Sequence, residues 1–373
     1  MKKRIAIAAA GTGGHVFPGL AVGKIFLDQG VHPLWFGTPG GLENQWVDKS
    51  QYSFYALNMR GVRGKGLVRW LLMPFALWMA VLEAKEILAK EKVEKVLLCG
   101  GYVTVPVGLA ARYLKIPFVI LEQNAAVGLS NRILSYFAQK IFCGFPCQLS
   151  RGKSPTLVEV IGNPVREDIF KVLPPQDLIK AGEENRPLRV LVLGGSLGAK
   201  ALNEVLPETL KLIQYAVQVV HQTGQKQFAE TEALYAKAGL KEGFQLLPFL
   251  NDMPAAYTWA DVVVCRAGAL TVSEIAAAGR VGIFIPLPIA VDDHQTKNAK
   301  FLMDKGAAKL IPQSQLKPAL LASTLDEMNV NRQKLLEMGK AAKALAKPGA
   351  AIRVAKELLL SHCPNNRSIS ETK

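Results

Sequence analysis

The sequence lacks any apolar run of the roughly 20 residues that a membrane-crossing helix needs, which leaves a soluble or peripheral protein as the expectation. Its basic start, Met1-Lys2-Lys3-Arg4, leads into an apolar stretch that ends at Ala10 and runs into Gly11-Thr12-Gly13-Gly14-His15. That is too short for a secretory leader and reads as a first β-strand. Cysteine is scarce: five residues, odd in number, scattered and mostly inside apolar runs. They read as reduced, buried thiols of a cytosolic protein, and Cys143 with Cys147 lacks the second pair of a zinc site. Complete nucleotide fingerprints are missing as well. Val16 stands where G-x-G-x-x-G needs its third glycine, and Gly194-Gly195-Ser196-Leu197-Gly198-Ala199 fails both that pattern and the P-loop pattern. NAD and ATP sites thus lose their signatures. No Asp-x-Asp metal motif is evident, and Asp292-Asp293 reads as loop charge.

Acid is also in short supply, with 30 Asp and Glu against 45 Lys and Arg, a formal charge of +15. Such a surplus suits polyanions. Nothing resembles a nucleic-acid module with interleaved aromatics, so anionic lipid and phosphorylated substrates rank ahead and no nucleic acid is expected.

What is present is material for two cores. The 373 residues, half of them hydrophobic, exceed one compact domain. Strand-like runs (Ile5–Ala9, Pro33–Phe36, Phe54–Leu57, Val96–Cys99, Phe118–Leu121, Lys140–Phe142) alternate with helical stretches, notably Gly19–Leu27, Trp70–Lys90, Val107–Leu114 and Asn131–Phe137. The theme repeats after Gly162-Asn163-Pro164-Val165-Arg166, with strands at Leu188–Leu193, Val217–Gln222, Gln245–Pro248, Val262–Cys265, Gly282–Ile285 and Lys309–Ile311. Alternation of this kind predicts α/β architecture: two doubly wound, Rossmann-like domains, residues 1–162 and 163–345, each opening with a glycine loop.

Arg266–Gly279 lies between two buried-strand patterns, with Gly268 as the turn and a helix after it. Hydroxyls of Thr271 and Ser273 with free N–H groups at that helix start suit a diphosphate, and Glu274 suits a ribose diol. An ordinary βαβ unit with a solvated Glu274 has the same local pattern. His15 and Glu122, each at the carboxyl end of a strand, are candidates to move protons. Arg60, Arg63, Lys65 and Arg69 lead into an aromatic stripe with Trp70, Phe75 and Trp78, the make-up of a helix that docks on an anionic bilayer or of an ordinary core helix.

Taken together, Gly11–Gly19, Gly100-Gly101-Tyr102, Glu122-Gln123-Asn124, Gly162–Arg166, Gly194-Gly195-Ser196 and Gly268–Glu274 occur in the order of the MurG family, and the chain resembles these peptidoglycan GlcNAc transferases over nearly its whole length. The resemblance implies a GT-B fold, with the C-terminal helix (about 346–373) crossing back to the first domain. It implies an inverting transfer of GlcNAc from UDP-GlcNAc to lipid I, giving lipid II, at the cytoplasmic face of the inner membrane. Donor contacts would fall on Thr12, Gly13, Gly14, Asn124, Arg166, Ser196, Leu250, Ala269, Leu270, Thr271, Val272, Ser273, Glu274 and Gln295. His15 would be the base, with Glu122 as rival or partner. No cofactor or metal is expected; the partners would be both substrates, an anionic membrane and other cell-wall synthesis proteins. The chain departs from the family at Leu121, where a His often stands, and at Asp292-Asp293-His294, which is less basic than usual. Another lipid glycosyltransferase, a UDP-GlcNAc 2-epimerase and a non-catalytic nucleotide-sugar sensor are the competing readings.

Overall fold

Parallel strands covered on both faces read as near-continuous Val/Ile/Leu runs, and the runs along this chain assemble into two parallel sheets. The computed structural model describes residues 3–59, 67–147, 149, 158–177, 186–195, 198–288 and 293–360. The first unit runs β1 (Ile5–Ala9), α1 (Gly13–Asp28), β2 (Leu34–Gly37), α2 (Glu43–Trp46), β3 (Ser53–Ala56), α3 (Leu67–Lys90), β4 (Lys95–Gly100), α4 (Thr104–Tyr113), β5 (Phe118–Glu122), α5 (Leu129–Leu134), β6 (Lys140–Cys143) and β7 (Val158–Val160). The second runs α6 (Glu167–Phe170), β8 (Leu188–Leu193), α7 (Lys200–Leu212), β9 (Val217–Gln222), α8 (Phe228–Lys237), β10 (Phe244–Leu247), α9 (Met253–Trp259), β11 (Val262–Cys265), α10 (Ala269–Ala278), β12 (Val281–Phe284), α11 (His294–Met303), β13 (Ala308–Leu310), α12 (Pro318–Val330) and α13 (Arg332–Ala344). Last comes α14 (Ala350–Leu359).

Strand order is β3-β2-β1-β4-β5-β6-β7 in one sheet and β10-β9-β8-β11-β12-β13 in the other. Both orders reverse at the sheet's first strand, the switch point where a doubly wound sheet opens a crevice at its carboxyl edge. The glycine loops after β1 and β8 sit at those two points. Side chains alternate faces along each strand. Ile5, Ile7 and Ala9 pack into one core layer, while Ala6, Ala8 and Ala10 pack into the opposite one. Leu191 and Leu193 divide from Val190 and Val192 in the same way.

α1 begins at Gly13, earlier than the composition suggests, and runs through Pro18. Proline brings no N–H to the ladder, which is why the sequence hides this first turn. His15 is therefore a helical residue.

Near residue 345 the chain returns to the first sheet. α14 buries Ala350, Val354, Ala355 and Leu358 against the Ile5/Ile7/Ala9 layer. Arg353 grips Glu159 through two bonds of 3.0 and 2.9 Å, and Lys95 Nζ donates to the Glu357 and Leu360 carbonyls at the end of α14. The two passages between the sheets touch: Gly162, at φ 85°, lies against Lys347, whose Nζ donates to the Val160 carbonyl at 2.8 Å.

In the second sheet the fully buried His221 bonds Asn203 Oδ1 through Nε2 and the Tyr235 hydroxyl through Nδ1, each at 3.0 Å. Burial drives its pKa down from 6.5 to about 3. Between those values the unfolded chain binds a proton that the folded chain refuses, so His221 erodes stability as pH falls below 6.5. The slope is about 1.4 kcal/mol per pH unit. Urea unfolding of the parent and of His221→Gln at pH 7, 6 and 5 should show the gap between them narrowing as pH falls. A constant gap would mean that His221 titrates normally in the fold.

Candidate active site

The site is built first at the carboxyl end of β1. Gly11 N–H donates to Glu43 Oε2 at 3.1 Å, and Glu43 Oε1 accepts the Thr38 N–H and hydroxyl, both at 2.7 Å. Glu43 is fully buried. This carboxylate ties the β1 loop to the β2 loop and so sets where α1 begins. Thr12 is extended at the cap of α1 without a side-chain cap, and by position Gly13 and Gly14 keep first-turn N–H groups that no intrahelical carbonyl takes.

The His15 ring packs on Gly100, where a Cβ would collide with the imidazole, and the next residue, Gly101, fits at φ 88° only because a Cβ would strike the Ala10 carbonyl. Burial lowers the His15 pKa below 6.5; Glu122 and the Ala10 backbone oppose that, and His294 adds to the lowering. His15, Glu122 and His294 are therefore within electrostatic reach of one another, and the imidazole is held neutral near pH 7.

Glu122 is committed elsewhere. Its Oε1 accepts the Asn124 N–H at 2.9 Å and the Asn124 amide at 3.4 Å; its Oε2 accepts Gly128 N–H at 3.2 Å and the Asn131 amide at 2.8 Å. The carboxylate is almost fully buried and shapes the 122–131 loop.

Across the cleft, α10 starts at an extended Gly268 with no side-chain cap, and Val272 N–H is the first to reach the Gly268 carbonyl. The N–H groups of Ala269, Leu270 and Thr271 thus point out of the helix start, a ready anion site. One turn on, Glu274 is half-buried, with Oε2 taking the Tyr257 hydroxyl at 3.0 Å. Burial raises the Glu274 pKa, while Tyr257 and Arg166 counter it. Arg166 is exposed and lies 3.7 Å from Asp168. Val272 is buried in the core; Leu250 packs half-buried at its edge. Gln295 Oε1 accepts Leu287 N–H at 2.9 Å.

Two amides join the halves. Asn298 Oδ1 accepts the Ala125 N–H at 2.8 Å, and its Nδ2 donates to Asn124 Oδ1 and the Ala267 carbonyl, each at 3.2 Å. Asn163 Nδ2 donates to the Gln123 carbonyl at 3.1 Å and to Ser273 Oγ at 3.0 Å. Asn124 and Ser273 are thereby tied across the two sheets, and Glu122 is bonded to Asn124. Arg60, Arg63, Lys65, Ser196 and Asp292 lie outside the described residues, as do the side chains of Arg69 and Trp70. Phe75 and Trp78 are exposed on α3, away from the cleft contacts named here.

Glu43, Tyr257 and Asn298 carry no local pattern in the sequence, because their partners come from other elements. Asn163 sits inside a recognised motif, and its Gly-Asn-Pro setting was the available signal. Among the described residues no cluster of three or more His, Cys, Asp or Glu could hold a metal ion.

Residues 5–143 match the glycosyltransferase family 28 N-terminal domain, and residues 189–354 match the glycosyltransferase family 28 C-terminal domain. The chain is 46% identical over 353 residues to the UDP-N-acetylglucosamine–N-acetylmuramyl-(pentapeptide) pyrophosphoryl-undecaprenol N-acetylglucosamine transferase of Acinetobacter baumannii, covering 94% of this chain and 96% of that one. The crystal structure of Acinetobacter baumannii MurG superposes with a TM-score of 0.82 at 44% identity, over 95% of this chain and 99% of that one. A UDP-GlcNAc 2-epimerase from Neisseria meningitidis, bound to UDP-GlcNAc, shares the fold alone: TM-score 0.65 at 15% identity, over 96% and 100% of the two chains.

Glu43→Ala should destabilise the protein, since a buried donor left unsatisfied costs about 1–3 kcal/mol and Gly11 and Thr38 would lose their acceptor together. Thermal unfolding and amide exchange at Gly11 and Thr38 check this. Unchanged protection at both would show that Glu43 does not hold the loop.

Proposed function

The chain belongs to glycosyltransferase family 28, and from that footing we propose that it moves GlcNAc from UDP-GlcNAc to the C4 hydroxyl of the MurNAc in lipid I, yielding lipid II for peptidoglycan. The carrying observation is the 46% identity that runs over 94% of the chain and so takes in both walls of the cleft.

In this reading the acceptor hydroxyl attacks C1 of GlcNAc opposite the departing UDP, inverting the centre. His15 takes the hydroxyl proton: it is neutral near pH 7, sits in the cleft and keeps a basic nitrogen. Glu122, with both oxygens occupied, steadies the imidazolium and the loop rather than acting as base. Charge growing on UDP meets the N–H groups of Ala269, Leu270 and Thr271, the hydroxyls of Thr271, Ser273 and Ser196, and the Arg166 guanidinium. Fixed donors of this kind stabilise a leaving group with no metal ion required. Glu274, steadied by Tyr257, reads the ribose; the Leu250 backbone reads uracil; the Gln295 amide and Asn124 face the sugar; Thr12, Gly13 and Gly14 close over it. The adjoining passages at Gly162 and Lys347 are where the halves close on the donor.

Docking falls to an apolar face. Phe75, Trp78 and Met79 on α3, Tyr113 on α4, Leu129 on α5 and Phe137 just beyond it are all exposed, with Lys85 Nζ 4.1 Å over the Tyr113 ring and Arg112 5.6 Å over that of Phe137. Aromatic groups beside cations suit an anionic bilayer surface. No helix among the described residues is long and apolar enough to cross a membrane, and peripheral attachment on the cytoplasmic face of the inner membrane fits this arrangement.

Transfer of radiolabelled GlcNAc to a short-chain lipid I analogue tests the reaction. His15→Ala should cost about 10²–10⁴-fold in rate with donor affinity kept, and Glu274→Ala should weaken the donor. Turnover that survives His15→Ala would remove the imidazole from the base role, and a parent without turnover would end the transferase reading. Because the base must be neutral and its pKa is lowered, kcat/KM should hold down to pH 6.5 and fall about tenfold per unit only below the shifted value. For the membrane face, Phe75→Ser with Trp78→Ser should cut sedimentation with anionic vesicles at least tenfold, since each large side chain withdrawn from water contributes about 1.5–3 kcal/mol. Equal sedimentation of parent and variant would move the docking surface elsewhere.

A further inference from the structure

Cys143 ends β6 and Cys147 follows four residues later, with Gly144, Phe145 and Pro146 between them. Both are free thiols, and their Sγ atoms stand 2.8 Å apart. A disulfide has its sulfurs about 2.05 Å apart, so bonding asks for movement well under an ångström. Cys143 is buried and Cys147 half-buried, which gives the pair one reachable member.

The loop they bracket leaves β6 on its way to β7 in the first sheet and reaches across as a strap onto the second. Gly144 lies against the Asn163 amide so closely that a Cβ would collide with it. Phe145 packs its ring on Phe301 of α11 with centroids 5.0 Å apart and belongs to the core of the second sheet. Gly144 N–H donates to the Glu122 carbonyl at 2.8 Å, and Cys143 pairs with Glu122 in the β5–β6 ladder. Gly144, Phe145, Pro146, Gly162 and Asn163 line a cavity of about 50 Å³ with Phe301, which leaves the strap room to shift.

We propose that Cys143 and Cys147 are an oxidisable dithiol: a peroxide converts them to an intramolecular disulfide that fixes the strap and slows domain closure. The effect on transfer rests on the function proposed above; the thiol chemistry does not. The thiol contact lowers the pKa of Cys147 and, together with burial, raises that of Cys143, so Cys147 reacts first. Its thiolate attacks one peroxide oxygen and breaks the O–O bond. Cys147 becomes a sulfenic acid, and the released hydroxide takes a proton to become water. Cys143 then gives up its proton while its sulfur attacks Cys147 Sγ, forming S–S and breaking S–O. The departing hydroxide leaves with that proton as a second water. The two thiols lose two electrons in all, and the peroxide gains them. Thiol reductants reverse the change.

The test treats the whole protein with hydrogen peroxide, alkylates it and maps peptides by mass. The peptide holding Cys143 and Cys147 should lose two hydrogens and resist alkylation until dithiothreitol is added. Cys143→Ser should stop at a sulfenic acid on Cys147 that dimedone traps. Transfer should fall by roughly tenfold on oxidation, short of the ~10²-fold that an ångström of misplacement costs, and recover on reduction. Cys147→Ser should match the reduced parent and ignore peroxide. Independent alkylation of both thiols after peroxide would overturn the dithiol, and a mapped disulfide with undiminished transfer would overturn its control of closure. Should the reduced parent show no transfer at all, the function is what fails, and peptide mapping still decides the thiol chemistry.

Discussion

Asn298 is fully buried on α11, and its amide accepts from Ala125 while donating to Asn124 and to the Ala267 carbonyl. A buried amide without partners is destabilising by about 1–3 kcal/mol, so this side chain is at ease only when loops from both sheets are seated around it. Asn163 repeats the arrangement from the linker, reaching Gln123 on one side and Ser273 on the other. The carboxyl edges of the two sheets therefore meet in one register.

The same constraint separates the two titratable candidates of the first domain. Glu122 accepts four N–H bonds from Asn124, Gly128 and Asn131 and spends its lone pairs on the loop. His15 packs on Gly100 and is met by the Ala10 backbone and by the charges of Glu122 and His294. Burial favours its neutral form, which is the form able to accept a proton. Two groups of similar promise in the sequence are thus given different tasks by what surrounds them. Glu274 and Tyr257 form a comparable pair in the second domain, the hydroxyl holding an acid that burial alone would disfavour as an anion.

Much of this architecture was legible in the residues. Runs such as Ile5–Ala9 and Val262–Cys265 admit few readings other than buried parallel strands, and the glycine loops after β1 and β8 mark where the sheets reverse. The early start of α1 was hidden by Pro18, which breaks the helical pattern without breaking the helix. The roles of Glu43, Tyr257 and Asn298 were beyond reach, since each depends on an acceptor or donor distant in the chain. Glu122 was visible as a carboxylate at a strand end, but its saturation depends on Gly128 and Asn131, which no spacing rule connects to it.

The last helix completes the first core. α14 supplies Ala350, Val354, Ala355 and Leu358 to the layer that covers Ile5, Ile7 and Ala9, so the amino-terminal half cannot finish burying that face until residues past 350 have left the ribosome. During synthesis the patch of α1 and β1 that α14 will cover stays open to water while the second sheet is still being made. The order of translation thus places the completion of the first domain last.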